Sequence, residues 1–145
     1  MSSLLHLAKR PPVTTHRAAT ALEASDTMMR ARAGAVIVLD EGRLVGIVSE
    51  RDIVTRVVVP RRDPSQTLVS EIMTREVHTG TFDLDTEEAM QIMSQGNFRH
   101  LPLVDASRRV VAILSMRHVL RARVEELAST SERLINYFSA DGPGG

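Results

Sequence analysis

The chain of 145 residues has the length of one compact domain, and its 43% apolar and 25% charged residues are ordinary for a soluble globular fold. Eighteen basic residues balance eighteen acidic ones, so no net field draws nucleic acid or an anionic membrane, and 3% aromatic residues leave little for base stacking. With no cysteine there is no disulfide framework, thiolate nucleophile or cysteine-ligated metal, which fits the cytoplasm as the expected compartment.

In chain order, residues 1–12 read as an N-terminal arm ending at Pro11 and Pro12, without the apolar run of a signal peptide. A first unit spans 13–59. A short strand at Val13–Thr15 precedes a helix announced by Thr20 and Glu23, a capping pair three residues apart. Ala35–Leu39 and Leu44–Val48 are short β-branched runs closed by a polar turn, and a second helix from Ser49 stops at Pro60. Residues 60–72 read as a linker, and a second unit spans 73–122. There Asp85 and Glu88 announce a helix, Leu101–Val104 and Val110–Leu114 are strands, and a last helix begins after Ser115. Its apolar stripe of Leu120, Val124, Leu127, Leu134 and Phe138 outlasts the unit, giving a helical extension over 123–139 and a disordered tail at 140–145. Such a stripe needs a cover, either the chain's own domain or a second copy, and a homodimer is expected. No apolar stretch reaches the 18 residues of a membrane span.

The two units repeat one another. Gly46-Ile-Val-Ser-Glu-Arg-Asp-Ile-Val54 returns 66 positions later as Ala112-Ile-Leu-Ser-Met-Arg-His-Val-Leu120, and Gly34–Asp40 returns as Arg99–Asp105. The expected fold is therefore mixed α/β: two strand-helix-strand-strand-helix repeats packed as a pseudo-twofold pair, with a long C-terminal helix.

Ser49-Glu-Arg-Asp52 is the sharpest local motif. Its hydroxyl and first helical amides stand at the end of a strand, where unpaired N–H groups attract phosphate, and Asp52 one turn later offers a carboxylate to a ribose diol. Serine followed three residues later by a carboxylate is also plain helix capping. No glycine-rich phosphate loop, metal-hydrolase motif or nucleophile elbow accompanies it, so no enzymatic activity is expected.

Gly34-Ala-Val-Ile-Val, the run from Asp40 to Val54, Met73-Thr74 and Phe98-Arg-His-Leu-Pro-Leu-Val-Asp105 together resemble the cystathionine-β-synthase (CBS) domain. Two in tandem form a Bateman module, and the extended last helix is similar to that of small bacterial stand-alone pairs. The resemblance implies two clefts between the repeats that take AMP, ADP, ATP or S-adenosylmethionine as regulatory ligands, with no cofactor. It carries Asp52, Ser49 and basic Arg51 to the first cleft, with Val13 and Thr15 beside the base. The second cleft receives Ser115, Val77, His78, Thr79, Arg99, His100 and His118. His118 replaces the ribose-binding aspartate there, and imidazole cannot accept two diol hydroxyls. That cleft is a degenerate site or an anion site, or, if His78, His100 and His118 converge, a site for a divalent metal. The implied function is a non-catalytic adenosine-ligand sensor signalling to a separate effector protein. A ligand-independent scaffold acting through protein partners is the alternative.

Overall fold

The computed structural model describes residues 4–140. The first repeat holds β1 (Thr14–His16), α1 (Ala21–Ala31), β2 (Ala35–Asp40), β3 (Arg43–Ser49) and α2 (Glu50–Ile53), which continues into a π turn at Val54–Val58. Four of the five side chains in this last stretch are β-branched and crowd the preceding turn of a regular α-helix. A short α3 (Val69–Ile72) leads into the second repeat, made of α4 (Thr86–Gly96), β4 (His100–Val104), β5 (Val110–Ser115) and α5 (Met116–Ala140). Ala140 ends α5, and the rest of the tail expected at 140–145 lies outside the described residues. No helix among the described residues is long and apolar enough to cross a membrane.

Both helix starts marked in the sequence are capped as their residues dictate. Thr20 Oγ1 accepts from the Glu23 amide at 3.1 Å, and Asp85 and Glu88 form a reciprocal capping box. α1 and α4 end on Arg32 and Asn97, both in the left-handed conformation.

The first sheet runs in the order β1-β2-β3, with β1 parallel to β2 and β2 antiparallel to β3. Among the described residues the second sheet holds β4 and β5 alone. The leading strand expected of the second repeat, which would fall at Val77–Thr79 to match Val13–Thr15, is reduced to a single bridge between Gly80 and Leu103. In the first repeat the Ile37 amide donates to the Val13 carbonyl at 2.9 Å. The matching donor in the second repeat is Pro102, which has no amide, so the parallel ladder cannot extend.

Residues 4–9, read from sequence as part of an arm, and 69–74, read as the end of a linker and the start of the second unit, occupy matching places and are exchanged between the repeats. Thr74 pairs with Ile47 on β3, and Lys9 pairs with Ile113 on β5. Val69, Ile72 and Met73 lie in the first repeat's core. Leu4 is fully buried in the second repeat's core, with Leu7 and Ala8 packed against it. A third cluster of Ala35, Ile37 and Ile113, flanked by Ile47 and Val110, joins the two sheets.

Gly46 shows how closely the exchanged segment packs. A Cβ there would lie 2.6 Å from Met73 Sδ and 3.1 Å from Met73 Cβ. The matching residues in the second repeat are Ala112 and Ala8, a small-for-large exchange that makes room for the extra methyl. Gly46→Ala is expected to cost about 1–3 kcal/mol through overpacking. Urea unfolding measures it, and an unchanged midpoint would mean that Met73 yields freely.

Candidate functional site

β3 delivers Ser49 to the N-terminus of α2, and Asp52 sits three residues into the turn, 8% exposed. Asp52 Oδ2 accepts from the Ser49 amide at 2.9 Å and from Ser49 Oγ at 3.1 Å, while the Asp52 amide donates to Ser49 Oγ at 3.2 Å. The other oxygen, Oδ1, accepts from Thr74 Oγ1 at 3.2 Å and lies 3.8 Å from Arg56 Nε. Arg56 is held in turn by the carbonyls of Ile72 and Met73, at 2.9 and 3.0 Å. The carboxylate thus ties α2 to the segment entering the second repeat. Three of its roughly four acceptor positions are occupied by hydrogen bonds, which leaves one on Oδ1.

Across the pseudo-twofold axis, His100 opens β4 opposite Ser115, as Ala35 opens β2 opposite Ser49. The absence of a side chain on Gly34 admits the imidazole: a Cβ there would lie 2.8 Å from His100 Nε2 and 3.7 Å from Glu50 Oε1. The Glu50 amide donates to the Gly34 carbonyl at 3.0 Å, and Met116 repeats this bond to Arg99 at 2.8 Å. Burial depresses the affinity of His100 for a proton. The Glu50 carboxylate works against that shift, and Arg99 and His118 reinforce it. A histidine with a lowered folded pKa favours folding while it is neutral. Its contribution is complete above the ordinary value of 6.5 and is lost as pH falls from there through the lowered folded value. Stability to urea should therefore drop below pH 6.5, and His100→Gln should flatten that dependence. An equal slope in both proteins would remove His100 as the cause.

A sequence model of the CBS domain matches residues 4–59 and again 69–125. The chain belongs to the CBS domain family. Among curated relatives it is 35% identical over 112 residues to the CBS domain-containing protein CBSCBSPB1 of Arabidopsis thaliana, covering 77% of this chain and 21% of that one. It is 38% identical over 91 residues to the CBS domain-containing protein YhcV of Bacillus subtilis, covering 63% and 64%. The chain spans about a fifth of the length of the Arabidopsis relatives that it matches. Two solved CBS structures superpose over most of both chains. One is the CBS domain pair of protein MJ0100 with 5′-methylthioadenosine and S-adenosyl-L-methionine, with a TM-score of 0.79, 28% identity, and 87% of this chain and 98% of that one covered. The other is the CBS domain protein PAE2072 from Pyrobaculum aerophilum complexed with AMP, with a TM-score of 0.77, 30% identity and coverage of 88% and 99%.

The exchange of leading segments regroups the candidate residues of this CBS pair. Thr74 begins the stretch that runs through Val77, His78 and Thr79, so these residues continue directly from the partner of Asp52. Thr15 lies in the edge strand β1 and Val13 immediately precedes it, both separated by β2 from β3 and Asp52, in the stretch that follows Lys9, the partner of Ile113 on β5. Of the basic pair, His100 faces the Glu50 carboxylate in the first turn of α2, while Arg99 is exposed. Arg51 is exposed. Thr74 and Arg56 were missed as contacts of Asp52. The shared spacing of residues 4–9 and 69–74 from their repeats is the signal that marks the first of them.

In the second CBS repeat Ser115 Oγ still accepts from the His118 amide at 3.2 Å, but the exposed imidazole closes no reciprocal box. His78 stacks on Phe98, with ring centroids 5.0 Å apart and planes 13° from parallel. The three histidines do not converge: among the described residues no group of three or more histidine or carboxylate side chains is placed to hold a metal ion.

Proposed function

We propose that this CBS pair is a non-catalytic regulatory module that binds an adenosine-containing ligand at Asp52 and relays occupancy to a separate effector protein. One observation carries the reading: a buried carboxylate at a strand-to-helix junction, with a free acceptor on Oδ1 and with Thr74 of the other repeat's leading segment on the same oxygen. The AMP and S-adenosylmethionine complexes of similar CBS structures support it.

A ribose diol donates two hydrogen bonds, and Asp52 has one acceptor position open. Binding both hydroxyls therefore turns the Ser49 or Thr74 hydroxyl away. Because Thr74 is paired to Ile47 and leads into the second repeat, ligand at Asp52 biases the angle between the repeats, by no more than its differential affinity for the two arrangements. The protein works in this reading as a cytoplasmic homodimer, the exposed stripe of α5 being the surface that a second copy covers.

The test is a thermal-shift and calorimetric titration of the full chain with AMP, ADP, ATP, S-adenosylmethionine and 5′-methylthioadenosine, beside Asp52→Asn. At a hundred times its dissociation constant a ligand of the native state adds about 2.7 kcal/mol, several degrees here. A rise that Asp52→Asn abolishes supports the reading, and no rise with any compound overturns it. The scaffold alternative, favoured by the uncovered α5 stripe and the lost box at His118, predicts partner binding indifferent to Asp52.

A further inference from the structure

Two apolar faces remain uncovered, and they are not alike. On the first repeat, α1 and α2 enclose a groove of about 480 Å³ lined by Met28, Met29, Ile53 and Val54, with Arg32 and Glu50 also in its wall. Met29 is 72% exposed, and Val58 and Val59 continue the apolar surface along the π turn. On the second repeat the positions matching Leu22 and Met29 are Glu87 and Ser94, so α4 offers no such groove. There the apolar surface is a single stripe along α5, with Leu127, Leu134, Ile135 and Phe138 all exposed, the last at 69%.

One face is thus a groove between two helices and the other a lone helix with apolar residues three, four and seven apart, the spacing with which a helix occupies such a groove. The charges match the shapes. Residues 21–32 and 50–62, with Glu71 that pairs with Arg62, hold six arginines against five carboxylates, and residues 123–138, in which Arg123 pairs with Glu126, hold three glutamates against two arginines. Groove on groove, or α5 on α5, would bring like net charge together, whereas α5 in the groove brings opposite charge together. Residues 124–138 of α5 reach roughly 22 Å, longer than the roughly 16 Å of α1.

We infer that in the homodimer the distal half of α5 of each copy lies in the α1–α2 groove of the other. The contact forms twice about one two-fold axis, and both faces of both copies are covered in a closed assembly. This rests on the homodimeric reading above and specifies its surfaces.

Complementation tests it. Met29→Glu with Val58→Glu spoils the groove, and Leu127→Lys with Leu134→Lys spoils α5. All four positions are exposed, so circular dichroism should find both variants folded. By light scattering each variant alone should have the 16.0 kDa mass of one chain, and their mixture should return to twice that mass. In the mixed dimer one α5–groove contact is native and the other gains opposite charges. If the wild type dimerises and the variants fail to complement, the faces pair like with like and the inference falls while the homodimer stands. A monomeric wild type at micromolar concentration overturns both.

Discussion

Leu4→Ala is expected to destabilise the protein by about 2–5 kcal/mol, the range for truncating a fully buried leucine, and to lower its melting temperature by roughly 5–15 °C. Leu4 lies beside the chain end, yet its side chain is 0% exposed and packs in the core formed with Met93, Leu101, Leu103 and Leu114. The pairing of Lys9 with Ile113 holds the segment there, with two backbone hydrogen bonds of 2.9 and 3.2 Å. The Lys9 ammonium also reaches the Ala31 carbonyl at the end of α1. The loss should fall on the second repeat first, because the first repeat's core is a separate cluster. Hydrogen exchange should accelerate in β4, β5 and α4 before β2 and β3. A melting temperature within a degree of wild type would mean that residues 4–9 leave the core at little cost.

Asp52→Ala should remove two things at once. On the stability side it deletes the acceptor of the capping box, worth about 1 kcal/mol, and leaves the Thr74 hydroxyl without its partner, at about 1–2 kcal/mol. The Arg56 pair adds little, since that guanidinium is half exposed and also bound to two carbonyls. A loss of about 2–3 kcal/mol, or roughly 5–10 °C, is therefore expected before any ligand is added. On the binding side, the response to an adenosine compound should vanish. Asp52→Asn separates the two effects: with its amide oxygen at the Oδ2 position it still accepts both hydrogen bonds from Ser49, so it should melt closer to wild type while losing the charged acceptor for the diol. If Asp52→Asn bound nucleotide as tightly as wild type, the carboxylate would be a capping residue and nothing more. Asp52→His transfers the second repeat's residue into the first and should reproduce its simpler cap, Ser49 Oγ alone accepting from the backbone.

Much of this was legible in the residues themselves. The repeat of Gly46–Val54 as Ala112–Leu120 announced paired units, and the caps at Thr20 and Asp85 placed two helices, because capping depends on side chains three residues apart. The stripe of α5 was readable for the same reason: its spacing is local. The missing leading strand of the second repeat was not legible, because the consequence of Pro102 follows only from its counterpart Ile37, whose amide donates to Val13. What the chain did not reveal by itself was which unit each leading segment serves. Leu4–Lys9 and Val69–Thr74 carry four- to six-residue patterns too short to show a period, and their cores belong to sheets formed more than 20 residues away. Only the tertiary structure put Thr74 on Asp52, His100 against Gly34 and His78 onto Phe98. Local order follows from neighbours along the chain, whereas the composition of the clefts follows from a crossing of segments that the packing of two cores decides.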